Sequence, residues 1–175
     1  MELIFSIAEI SDAPALVALQ NRVNEDLSLR FPGGPWKANA TERGMLFGMK
    51  HAKVLLARQG SEIAGMLRLQ TKKPWAIDIA YFTPVKKAIY LTGMAVDPAF
   101  QGKGVGSALL AEAARVARDW PADAIRLDAY DRPGGAGGHY LRNGFAHRGR
   151  AVYRSNPLIY FEVVFAPLAD RKAHE

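Results

Sequence analysis

The stretch VDPAFQGKGVGSALL, Val96 to Leu110, constrains the fold more than any other part of this chain. Pro98 stops an apolar run, and Gly102, Gly104 and Gly106 follow at alternate positions. A helical stripe of Leu109, Ala113, Val116 and Trp120 begins directly afterwards. The order is strand, bare turn, helix. A turn stripped of Cβ atoms reaches positive φ and lets another molecule press on its N–H groups. Whatever the chain folds into, something is expected to sit against this turn.

The other elements flank it. LIFSIAEI reads as a first strand, with Ser11 as a cap signal and Pro14 in the first turn of a helix. Leu16, Leu19, Val23 and Leu27 give that helix one apolar stripe to about Leu29, with Gln20, Asn21, Arg22 and Glu25 facing outward. RFPGGPWKAN must be a loop, and a second helix is predicted over 41–50. KVLLAR and EIAGMLRLQ flank a tight turn at QGSE, the pattern of a hairpin. Residues 71–87 mix aromatics and prolines without a period and read as an excursion over the domain. AIYLTGMAV resumes as a strand, where Gly93 marks a bulge or a close backbone approach. Beyond the helix, which Pro121 ends, come a strand at AIRLDAY, a loop at DRPGGAGG and a short helix at HYLRN closed by Gly144. FAHRGRAVYR and PLIYFEVVF supply two last strands. Seven strands and four helices, with hairpins early and one β-α-β crossover, predict an α/β (α+β mixed) domain built on a mixed, mostly antiparallel sheet.

Composition narrows the function. At 175 residues, 49% hydrophobic and 23% charged, the chain fits one domain over 1–175. It has no cysteine, which excludes a disulfide frame, a thiolate metal site and a cysteine nucleophile. His51, His139, His147 and His174 lack zinc-ligand spacing, so no metal is expected; His139 alone adjoins a candidate group, Tyr140. The N-terminus lacks the basic start and apolar run of an export signal. The apolar tract PLIYFEVVFAPLA is broken by Glu162 and Pro167, so no membrane span is expected and a cytoplasmic location is. The net charge of +6 is scattered over residues such as Lys50, Lys72, Lys86, Arg115, Arg142 and Arg171. Without a recognition motif, that favours a phosphate-bearing ligand over nucleic acid. The apolar final strand offers a sheet edge through which a homodimer could form.

Known phosphate cradles test the glycine turn. A dinucleotide fingerprint needs G-x-G-x-x-G, and Ser107 stands where its third glycine belongs; a Walker loop needs Gly-Lys-Ser/Thr, and Gly104 follows Lys103. Both fail. Gln101-x-x-Gly104-x-Gly106 does resemble the Q/R-x-x-G-x-G/A signature of the GCN5-related N-acetyltransferases (GNAT), and HYLRNGF resembles that family's Y-x-x-x-G-F segment. The likeness in element order covers most of the chain, and its specific motifs lie between Leu91 and Phe145.

The resemblance implies a single acyl-CoA N-acyltransferase fold and acetyl-CoA as co-substrate. It implies that Gln101, Gly102, Lys103, Gly104, Val105, Gly106 and Ser107 cradle the pyrophosphate at a helix N-terminus. Met94, Ala95 and Val96 would pair with the pantetheine arm, and Tyr140 would be the general acid. Two departures bear on the base. The fourth strand has no acidic residue, and DAYDRPGGAGGHY has Asp131 near where many members carry an asparagine. Asp131 either takes over that role or caps a turn. Asp128 and Glu25 are the other carboxylates that could act through water, although a buried structural hydrogen bond is the favoured reading for Asp128. Deprotonating a lysine-like amine at neutral pH costs about 4 to 5 kcal/mol, against about 1 for an α-amine, so the need for a base depends on the acceptor.

Acceptor specificity in that family implies the first interhelical loop and the late strand connection YRSNPL, pointing to Phe31 and Trp36. Trp75, Asp78 and Tyr81 of the excursion could close over the pocket, or the aromatics could simply pack their loops. The expected activity is acetyl transfer to a primary amine of a small molecule. A protein or peptide amine is the alternative, followed by a non-catalytic acyl-CoA-binding regulatory module, which the missing carboxylate favours.

Overall fold

The computed structural model describes residues 2–166; Pro167, Arg171 and His174 lie outside them. Chain order is β1 (Ile4–Ile7), α1 (Ala13–Arg30), α2 (Glu42–His51), β2 (Lys53–Gln59), β3 (Glu62–Gln70), β4 (Ala88–Val96), α3 (Val105–Asp119), β5 (Ala124–Tyr130), α4 (Gly137–Arg142), β6 (Ala146–Tyr153) and β7 (Asn156–Val164). The strands form one sheet in the order β1-β2-β3-β4-β5-β7-β6. Among the described strands only β4 and β5, joined through α3, run parallel. The mixed, mostly antiparallel seven-stranded sheet with four helices is the predicted class.

Three local readings need correction. Ser11 does not cap α1. The Asp12 carboxylate turns back to accept from the Glu9 N–H at 2.9 Å, tightening Ile10–Asp12 into a 3-10 turn that leaves Ser11 inside it. Asn21 does not face solvent idly; it exchanges two hydrogen bonds with the Ala40 backbone, at 2.7 and 3.3 Å, and so pins the loop after α1. Nor is the last strand a free edge. The turn at Arg154 and Ser155, both at positive φ (48° and 66°), folds β6 and β7 into a hairpin that leaves β7 between β5 and β6. The edges are β1 and β6.

Strand alternation divides the core between the two faces. Leu67, Leu69, Ile89, Leu91, Ile125 and Leu127 point at α3 and its stripe of Leu109, Ala113 and Val116. On the other face α1 and α2 cover β2 and β3, with Leu16 and Leu19 fully buried. Burying each such leucine contributes about 1.5–3 kcal/mol. α1 also reaches Ala95 of β4, and among the described residues no helix covers the β5, β7 and β6 part of that face. Ile77 and Phe82 of the predicted excursion pack there on Tyr90 and Tyr160. Among the described residues no helix is long and apolar enough to cross a membrane.

Candidate active site

The site begins where two parallel strands part. β4 and β5 pair only from Ala88↔Ala124 to Tyr90↔Arg126. From Leu91 onward β4 keeps β3 alone as its partner. Against β3, Arg68 faces Thr92 and Met66 faces Ala95, so Leu67 opposes both Gly93 and Met94. This is a bulge, and Gly93 holds the φ of +58° that it requires. The β5 side of Met94, Ala95 and Val96 therefore carries backbone groups with no strand to pair with. A cavity fills the wedge, lined by Thr92, Gly93 and Met94 from β4, Asp128 from β5, Trp36 and Tyr140.

A second cavity runs from Met94 along the glycine turn to Ser107 and shares Met94 and Tyr140 with the first. Gly104 caps α3 at φ +83°, and a Cβ built on it would meet no protein atom within 4 Å. The N–H of Ala108 donates to the Gly104 carbonyl at 3.0 Å, the first helical bond; among the described residues no backbone acceptor takes the N–H groups of residues 102–107. Open donors at a helix N-terminus with space in front of them suit a diphosphate. The turn is braced from behind. Gln101 Nε2 donates to the Val96 carbonyl at 3.1 Å, the Lys103 ammonium lies 5.5 Å from the Phe100 ring centroid, and Val105 is 1% exposed in the core. Asp97 accepts from the Ala99 N–H at 2.9 Å and pairs with Arg22 of α1 at 2.6 Å. That brace went unread in the sequence, although an Asp directly before Pro98 is a turn signal.

Tyr140 stands where the two cavities meet. Its O–H donates to Met94 Sδ at 3.7 Å, and its ring packs on Phe145 and Phe161. Burial, and next the charge of Asp128, push its hydroxyl pKa far above the ordinary tyrosine value, so it stays protonated at neutral pH. His139 lays its ring over Gly106, where a Cβ would come within 2.9 Å of Nε2, and burial holds its pKa below the usual value.

The other sequence candidates separate. Asp131 faces a different cavity on the β7 side and is bound to Arg150 at 2.7 Å, so it does not line the space beside Tyr140. Asp128 does. Among the described residues its carboxylate has no ion pair or hydrogen bond to another residue, the structural hydrogen bond expected being confined to its own backbone N–H, and burial raises its pKa. Glu25 is exposed on α1 and lines neither cavity. Trp36 lines the wedge, edge-on to Tyr130 at 5.4 Å, while Phe31 packs beside it against Gly134. Trp75 is 84% exposed and reaches neither cavity. Asp78 caps a turn through Ala80, and Tyr81 packs on Tyr160, so both hold the excursion down instead of closing a pocket. Among the described residues no three His, Asp or Glu side chains cluster as metal ligands.

A family model described as Acetyltransferase (GNAT) family matches residues 20–145. No curated protein matches the chain. Among solved structures, the ribosomal-protein-S18-alanine N-acetyltransferase from Escherichia coli is similar at 16% identity and TM-score 0.71, over 95% of this chain and 97% of that one. PaiA N-acetyltransferase from Thermoplasma acidophilum, solved in complex with coenzyme A, is similar at 15% identity and TM-score 0.71, over 94% and 100%. YncA from Salmonella typhimurium, solved with acetyl-CoA, is similar at 15% identity and TM-score 0.69, over 95% and 96%. At these identities the likeness is one of fold.

Proposed function

This chain belongs to the GNAT family of acetyltransferases, and from that premise we propose that it moves an acetyl group from acetyl-CoA to the primary amine of a small acceptor. The observation that carries the reading is the meeting of the donor-lined turn and the β4–β5 wedge at one tyrosine hydroxyl. The free N–H groups of residues 102–107 hold the pyrophosphate, and the unpaired edge at Met94, Ala95 and Val96 receives the pantetheine arm like an added strand. Acetyl-CoA supplies an activated thioester in the wedge.

The chain's own groups then handle the protons. A β4 backbone N–H polarises the carbonyl. The neutral amine forms the new C–N bond as the C–S bond breaks, and the Tyr140 hydroxyl gives its proton to the departing sulfur. We assign the base to Asp128 instead of Asp131, because Asp128 lines the wedge and its raised pKa brings it closer to neutral pH, where a base works best. A water bridges it to the amine.

Release of free thiol from acetyl-CoA tests this against a panel of small amines and peptide α-amines. Thiol release with small amines, reduced about 10²-fold or more in Asp128→Asn, is the expected result. Coenzyme A binding with no thiol release for any amine would instead make the chain a binding module.

A further inference from the structure

Among the described residues one arginine that is not exposed to water lacks a carboxylate counterpart. Seven of the described arginines pair with a carboxylate: Arg22, Arg30, Arg58, Arg115, Arg126, Arg148 and Arg150. The remaining ones are exposed to water, except Arg68. Arg68 is half-buried on β3; among the described residues its buried Nε has no hydrogen-bond partner, and its Nη2 makes one weak hydrogen bond, to Met45 Sδ at 3.3 Å. Removing a guanidinium from water without a carboxylate or carbonyl to receive it is unfavourable, so the arrangement calls for an anion.

The surroundings are built around that side chain. A Cβ on Gly48 of α2 would stand 3.3 Å from Nη1, and a Cβ on Gly93 of β4 would stand 3.5 Å from Nε. Two glycines thus leave the room that the guanidinium occupies. The bulge between Met66 and Arg68 sets its register opposite Thr92. Strand register puts Arg68, Thr92, Tyr90, Arg126 and Asp128 on one face of the sheet. That is the face left uncovered between α2 and the excursion. Gly93 and Thr92, which touch or oppose Arg68, also line the wedge that holds Asp128 and Tyr140. A cation therefore flanks β4 on one side of the wedge and an unpaired carboxylate flanks it on the other.

We propose that Arg68 receives the carboxylate of an amino-acid acceptor while the acceptor's amine faces Asp128. The inference rests on the acetyltransferase reading and adds the substrate class to it. A planar guanidinium suits a carboxylate because its N–H groups form a fork of matching spacing.

The test compares amino acids with their carboxamides, which lose the anion and also carry a less basic amine, so the diagnostic quantity is how the acid-to-amide ratio changes between wild type and variant. For at least one amino acid, wild-type kcat/KM exceeds that of the amide by about 100-fold or more, a ratio within what a site built for a polar group can enforce. In Arg68→Met the ratio collapses toward one, and Arg68→Lys, which keeps the charge without the fork, falls between. Coenzyme A affinity of both variants reports that they fold. A second readout needs no turnover: calorimetric titration of the coenzyme A-loaded protein with N-acetylamino acids, whose binding Arg68→Met weakens at least tenfold. Thiol release with equal rates for acids and amides overturns the role of Arg68 and leaves the acetyltransferase intact. Arg68-dependent binding of N-acetylamino acids without thiol release upholds the carboxylate site and overturns the activity.

Discussion

Arg126 and Asp128 lie two residues apart on β5 with side chains on the same face, yet their surroundings are opposite. Arg126 is 6% exposed and satisfied: its Nε donates to Glu162 at 3.2 Å, its Nη2 donates to the Thr83 carbonyl at 2.5 Å, and its guanidinium lies over Phe82. Glu162 also accepts the Thr83 N–H at 3.1 Å and pairs with Arg148 at 3.4 Å. Among the described residues Asp128 has no such partner. The boundary between them coincides with the last rung of the β4–β5 ladder, Tyr90↔Arg126. Where the strands are closed, a buried charge is structural because the fold answers it; where they part, it is left for a ligand to answer.

Breaking the closed end gives the largest expected effect. Glu162→Ala leaves Arg126 buried and uncompensated and should cost about 3–5 kcal/mol, read as a lowered urea midpoint. The excursion over residues 71–87 should loosen with it, since Thr83 hangs on the same carboxylate. A loss below about 1 kcal/mol would mean that the network does not anchor that face. At the open end the effects should move from stability to rate. Tyr140→Phe should lower kcat about 100-fold, equivalent to about 2.7 kcal/mol, while coenzyme A affinity changes less than about twofold. A matching loss of affinity would make Tyr140 a packing residue.

Gly104→Val sharpens the contrast from the other cavity. There is space for the side chain, so the cost comes from its φ of +83°, about 1–2 kcal/mol of stability. The new methyls would stand in front of the free N–H groups, and coenzyme A affinity should fall about tenfold or more. Unchanged affinity would remove the turn from the binding site.

The sequence made the closed parts of this molecule more readable than the open ones. Alternation and helical stripes located seven strands and four helices, and the glycine pattern located the turn. These are local signals. Partnerships across 36 residues, as between Arg126 and Glu162, leave no such pattern. The same limit explains the choice between Asp128 and Asp131. Only the sheet shows that Arg150 of β6 occupies Asp131 and that no other described residue pairs with Asp128. Arg68 was unreadable for the converse reason: a missing partner is visible only when every neighbour is known.

The smallest expected effect tests whether Asp128 truly belongs to the open class. Its folded pKa is raised above the ordinary aspartate value of 3.8 by burial. At a pH below that value the group is protonated in both folded and unfolded chains, and Asp128→Asn should match the parent. As pH rises through 3.8 the unfolded carboxyl ionises first, so the stability associated with the protonated form is lost until the pH passes the raised folded value, and it stays lost above it. Asp128→Asn should therefore be more stable than the parent at neutral pH by at least about 0.5 kcal/mol, the sign expected when a site keeps a group that the fold alone would discard. The difference should vanish below roughly pH 3. Urea midpoints of the two proteins across that range measure it directly, and Glu162→Gln provides the opposite sign at neutral pH. If Asp128→Asn were instead less stable at pH 7, the carboxylate would have a partner within the fold, and it would join Arg126 among the residues that hold the sheet together.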